Sequence, residues 1–144
     1  MTPQSRRMAG LLLLILLPAV IYGGVSILTM LIGDPAYSQN DLRQDLWRAG
    51  HAHAGVLLVL SLVTLRYVEE ATISEGMKRV VRHSIPAAAI LLPAGFFLSV
   101  ASPEATKPNA IIYLAYVGAI SLMVGLLVLG VGLIRGRRTT SEPA

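Results

Sequence analysis

Apolar residues in this chain fall in long unbroken runs, not in the stripes of an amphipathic soluble helix. Met8 to Gly33, His83 to Ser102 and Asn109 to Ile134 each reach the roughly 18 apolar residues that mark a membrane-crossing helix. Ala49 to Leu65 sits near the lower limit of about 17. Four such runs joined by polar loops predict an all-α integral membrane protein, a four-helix bundle of antiparallel spans running up, down, up and down. The spans are expected at about 8–33, 49–65, 83–102 and 109–134, with a basic tail at 135–144, in a single transmembrane domain over 1–144.

Breakers and caps refine this outline. Pro18 lies inside the first run and predicts a kink there, and Asp34-Pro35 ends it. Arg6-Arg7 followed by leucines resembles a secretory signal, but the apolar run is long enough to span, so a retained helix is expected. Asp41 to Trp47 reads as a short amphipathic helix on the membrane surface, with Trp47 in the interfacial aromatic belt. Thr72-Ile73-Ser74-Glu75 has capping-box spacing, so the third helix is expected to start before the membrane. Pro86 and Pro93 make that helix a candidate for bending. The six-residue linker Pro103 to Pro108 allows only an antiparallel return. Small residues recur four apart at Ala19 and Gly23, Gly50 and Ala54, Ala115 and Ala119, and Ser121 and Gly125. Such pairs let membrane helices approach closely, here chiefly within the bundle and alternatively across a dimer face.

Composition then removes several classes of function. Hydrophobic residues are 54% of the chain and charged residues 14%, which excludes an ordinary soluble domain. Without cysteine there is no disulfide, iron–sulfur cluster or thiolate metal site. A net charge of +4 is compatible with a nucleic-acid partner, but its placement is not. Arg6, Arg7, Arg66, Lys78, Arg79, Arg82, Arg135, Arg137 and Arg138 fall on one side of the predicted spans, and only Arg43, Arg48 and Lys107 on the other. That is the positive-inside pattern, which places both termini in the cytoplasm of a bacterial inner-membrane protein and leaves no nucleic-acid partner. His83, Arg79 and Arg82 are expected at the headgroups, facing anionic lipid. The predicted midplane is almost wholly aliphatic, with Tyr22 its main polar exception, so the polar midplane site of a transporter is missing.

The strongest pointer to chemistry is Gly50-His51-Ala52-His53-Ala54-Gly55 at the start of the second span. An ionisable residue in a membrane segment is a functional hypothesis by default, and the small neighbours leave surface on which a flat or bulky group can lie. Two geometries follow. If the helix has not begun at Gly50, both imidazoles can converge on Zn or Cu, completed by Asp34, Asp41, Asp45 or Glu104 on the same side. If the helix is regular, residues two apart point in nearly opposite directions, and each histidine serves a separate site. A position in the first turns of the span, at the positive end of its dipole, would favour the neutral, ligating ring. Met30, Tyr113 and Tyr116 are expected at similar depth.

His51-Ala52-His53, with Gly55-Val56-Leu57-Leu58 and Ser61 after it, resembles one helix of the catalytic subunit of haem–copper oxidases, the tenth. The resemblance implies His51 as ligand to a high-spin haem and His53 as ligand to a low-spin haem, on opposite faces. It covers that helix alone. The family has twelve spans, a second axial histidine and three copper-binding histidines, whereas this chain has His83 alone to spare, at the other end of the bundle. Ligand count therefore excludes an oxygen-reducing enzyme made of this chain alone. The motif also resembles small bacterial four-span membrane proteins with a His-x-His at a helix start. Three classes remain: a haem- or metal-binding membrane protein using His51 and His53; a non-catalytic accessory or structural subunit, partnered by the bilayer, other membrane subunits or a second copy; and a hydrolase or transferase, for which no recognised spacing unites the acidic residues and histidines.

Overall fold

The computed structural model describes residues 1–136. Among them there is no strand, and four long helices carry the fold: α1 (Pro3–Gly33), α3 (Asp41–Tyr67), α4 (Glu75–Ser99) and α5 (Ala110–Gly136), with a one-turn α2 (Pro35–Ser38) between the first two. All four are long and apolar enough to cross a membrane, which makes this a multi-pass membrane protein. At about 1.5 Å per residue each exceeds a hydrocarbon core of about 30 Å. Of the expected basic tail, Arg137 and Arg138 lie outside the described residues.

Several boundaries differ from those expected, each for a local reason. The surface helix over Asp41 to Trp47 is not separate; it is the beginning of α3. Asn40 caps it, its side chain accepting from the Arg43 amide at 3.0 Å, and Gly50 costs only about 1 kcal/mol in a helix, too little to break it. Ser74, not Thr72, caps α4, accepting from the Met77 amide at 3.3 Å. Thr72 is engaged elsewhere: its amide donates to the Gly132 carbonyl on α5 at 3.0 Å. In α1 the disturbance precedes Pro18, as a π-turn over Leu12–Leu16 in which the Leu17 amide donates to the Leu12 carbonyl. Pro86 and Pro93 are buried within an uninterrupted α4.

Packing centres on α4. Half of its most apolar stretch is buried, against 6% for α1. Glycines set its distance from α5: a Cβ at Gly95 would lie 2.6 Å from the Ala115 nitrogen, one at Gly118 2.8 Å from the Leu92 nitrogen, and one at Gly125 2.7 Å from Ile85. Gly132 likewise backs onto Ala71 and Ile73 in the α3–α4 loop. The seven-residue recurrence of Gly118, Gly125 and Gly132 is the seam of an antiparallel pair, each step forward on α5 answered by a step back on α4. Ser121 donates across it to the Ser84 carbonyl at 2.9 Å. On the other side of α4, Leu57 and Leu60 of α3 pack with Ala89 and Leu92.

The first helix is peripheral. Leu12 packs against Leu58 and Leu65 of α3, while Leu14, Ile21, Tyr22 and Ile32 are exposed. Its start is pinned by polar chemistry instead. Glu69 accepts from the hydroxyls of Thr2 (2.9 Å) and Ser5 (2.6 Å), and Arg82 of α4 donates to both of its oxygens at 3.0 and 3.1 Å. Arg82 is 4% exposed, so it faces inward and not toward the headgroups as expected. Burial raises the Glu69 pKa, but hydrogen bonds from Ser5, Thr2 and Arg82, together with the Arg82 charge, outweigh it and hold the carboxyl down at about 2.

Two measurements test this architecture. Gly118→Ala must push a methyl into the α4 backbone and is expected to lose about 1–3 kcal/mol by overpacking; Gly130→Ala, with open space around it, should be neutral. Thermal unfolding in detergent distinguishes them, and equal midpoints would refute the seam. Glu69, with its folded pKa depressed, contributes stability that is complete above about 4.5 and is lost as pH falls toward about 2. The unfolding midpoint of wild type should drop over that window. Glu69→Gln should lie about 2 kcal/mol lower at neutral pH and show a flatter acid limb.

Candidate functional site

The helix carrying both histidines is locked in register at its outer end, before the motif begins. Trp47 donates its indole N–H to the Phe97 carbonyl at 3.1 Å. Arg43, 4% exposed, donates to the carbonyls of Val100 and Ala36, both at 3.3 Å, and lies over the Trp47 ring at 4.8 Å from its centroid. Gln44 donates to the Tyr37 and Ser38 carbonyls and accepts from Arg48. Burial raises the Tyr37 phenol pKa against the opposing pull of Arg48 and Arg43. Sequence reasoning treated this segment as surface; the alternation of Arg43, Gln44 and Trp47 with exposed Asp41 and Asp45 was the signal of one inward face.

His51 therefore stands about three turns inside a regular helix. Neither an unformed helix at Gly50 nor the positive end of a dipole applies to it, and the two imidazoles diverge. His51 points at α1, where its Nε2 lies 3.0 Å from where a Gly24 Cβ would be and its Nδ1 3.9 Å from one at Gly23. Gly23 and Gly24 are thus the cradle of a half-buried imidazole. That ring also edges an apolar crevice of about 180 Å³ among α1, α3 and α4, lined by Leu16, Val20, Ala89, Ile90 and Phe97.

His53 points the other way and is exposed. Its Nδ1 lies 2.7 Å from the Ala49 carbonyl oxygen. A carbonyl can only accept, so in the neutral ring the proton sits on Nδ1 and Nε2 carries a free lone pair. The ring lies 5.4 Å from that of Phe96 and borders a crevice of about 340 Å³ lined by Leu92, Phe96, Ile112, Ala115, Tyr116 and Ala119. Gly50 lies between the two faces, where a Cβ would stand 3.1–3.2 Å from Phe96 and Phe97.

The carboxylates expected to complete a metal site do not join the histidines. Asp34 caps α2, accepting from the Ala36 amide at 2.9 Å, and Asp41, Asp45 and Glu104 are exposed. Among the described residues no three of His, Asp or Glu gather where they could hold one ion. In the regular helix the two imidazoles point apart, and none of these carboxylates forms a cluster with them. A haem on each face fits no better as a pair, because the His51 ring already abuts the α1 backbone. The His53 face, apolar, aromatic and with a free lone pair, is the one whose chemistry suits such a group. His83, expected far from the pair, is indeed on α4 near its start and exposed. No family model, curated protein or solved structure matches the chain.

Proposed function

We propose that this protein is a membrane subunit that contributes His53 as a single ligand to a haem or metal group shared with a second membrane chain. The observation that carries the reading is the His53 ring itself, with Nδ1 anchored on a carbonyl and Nε2 directed away from it beside Phe96 and Tyr116. An imidazole oriented by a hydrogen bond on its other nitrogen is the usual form of a histidine ligand. One imidazole does not complete a coordination sphere, and among the described residues no three of His, Asp or Glu gather with His53, so this reading assigns the remaining ligands to another chain. Bound there, such a group would supply redox chemistry; this chain's part would be to offer His53 Nε2 as one ligand and to exclude water with the apolar wall of Leu92, Phe96 and Ala115. His51 acts as a packing residue that seats α1. An oxygen-reducing enzyme of one chain remains excluded by ligand count.

The expected experiment is an absorption spectrum and metal analysis of protein purified from its native membranes with its companions. Wild type and His51→Ala should carry a Soret band or stoichiometric iron or copper, and His53→Ala should lose it. Absence of any such group from wild type, or its retention in His53→Ala, would end this reading.

We further infer that the basic end of the bundle lies in the cytoplasm of a bacterial inner membrane. Among the described residues, Arg6, Arg7, Arg66, Lys78, Arg79, Arg82 and Arg135 belong to that end, against Arg43, Arg48 and Lys107 at the other. Because the chain has no cysteine, Lys107→Cys and Thr72→Cys are clean reporters. A membrane-impermeant maleimide should label the first in cells with a permeabilised outer membrane, and the second only after lysis. The reverse pattern would invert the topology.

A further inference from the structure

Beside α1 runs an apolar groove that neither histidine of the pair explains. Toward the basic end, Met8, Leu11 and Ile15 of α1 face His83, Pro86, Ala87 and Ile90 of α4 across about 320 Å³. This groove shares Leu16 and Ile90 with the crevice that ends at His51. Together they form a channel open along its side, running with the helices from His83 past the π-turn of α1. Its walls are almost wholly hydrocarbon, and the small Ala87 and Ala19 keep it wide.

The mouth of the groove is cationic. Arg79 lies one turn before His83 on α4, and its carbonyl oxygen is 2.8 Å from His83 Nδ1. That contact leaves Nε2 of the exposed ring free. Arg7 lies one turn before Leu11 on α1, on the face that lines the groove. Arg7 and Arg79 are exposed. The carboxylates at this end are taken: Glu69 by Arg82, Glu70 by Arg66, and Glu75 by Lys78 at 3.3 Å. Among the described residues, no ion pair engages Arg7 or Arg79.

We propose that this groove binds one anionic phospholipid, its phosphate between Arg7, Arg79 and His83 and an acyl chain lying along Leu11, Ile15, Ala87 and Ile90. A chain-shaped apolar wall that opens laterally, with two unpaired guanidiniums at headgroup depth, matches that molecule in both halves. A soluble anion would satisfy the mouth but leave the groove uncovered, and a zwitterionic lipid would fill the groove without net attraction at the mouth.

The test is native mass spectrometry of the full chain released from nanodiscs containing equal phosphatidylglycerol and phosphatidylcholine. Wild type should retain one phosphatidylglycerol preferentially, undisplaced by excess inorganic phosphate. Each basic residue near an anionic headgroup contributes about fivefold, so Arg7→Gln/Arg79→Gln should reduce that retention by about twenty-five-fold. Ala87→Phe, which fills the groove and leaves the charges in place, should reduce it as well. Equal retention of the two lipids, displacement by phosphate, or full retention by either variant would overturn the proposal. Both arginines are exposed, so the double variant keeps its fold; an unchanged unfolding midpoint checks this.

Discussion

The close approach of α4 and α5 is the constraint on which the rest of the structure depends. In lipid there is no hydrophobic drive to bring apolar helices together, so association rests on van der Waals fit and on the few polar bonds that cross between helices. Gly95, Gly118 and Gly125 supply the fit by letting side chain meet backbone at distances a Cβ would forbid. Once that pair is fixed, only one flank of α4 remains for α3, and α3 occupies it through Leu57 and Leu60. The histidine-bearing helix is therefore placed by packing that involves neither histidine.

From that placement the division of the His-x-His motif follows. A helix wedged against α4 has two free flanks, one met by α1 and the other open beside α5. Residues two apart on a helix differ by about 200°, so one imidazole goes to each flank. His51 finds the double glycine of α1 and becomes part of a helix contact. His53 finds an aromatic crevice and keeps its lone pair. Identical residues in nearly identical sequence surroundings thus take different roles because the neighbours on the two sides differ.

Much of this was legible in the chain, and the rest was not for identifiable reasons. Apolar run length located four helices because a bilayer leaves no other way to satisfy the backbone. Helix geometry alone foretold diverging histidines wherever the helix was regular. What periodicity could not supply was the pairing of distant polar residues. Arg82 read as one more basic residue at the headgroups, and only the folded chain brings it to Glu69, Ser5 and Thr2. Of the small residues spaced four apart, Ala115, Ser121 and Gly125 do lie on the α4–α5 seam, against Gly95, the Ser84 carbonyl and Ile85, but that spacing passes over Gly118 and Gly132, which extend the contact at seven-residue intervals. Four-residue spacing describes one pair of turns; seven-residue spacing keeps one face in register along a whole helix.

The loose seating of α1 ties these observations together. A helix with 6% of its apolar stretch buried has little packing to hold it. It is fixed at one end by the Glu69 network and toward the other by His51 resting on Gly23 and Gly24. Between those points it touches α3 through leucines and stands off from α4 across a groove. The two fixings are polar or shape-specific, and the stretch between them is greasy and open at its side. An element held at both ends and spaced away from its neighbour in the middle creates a lateral slot whose width is set by the fixings and not by its own lining. For that reason Ala87, Ala19 and the π-turn can leave the slot open without unseating the helix.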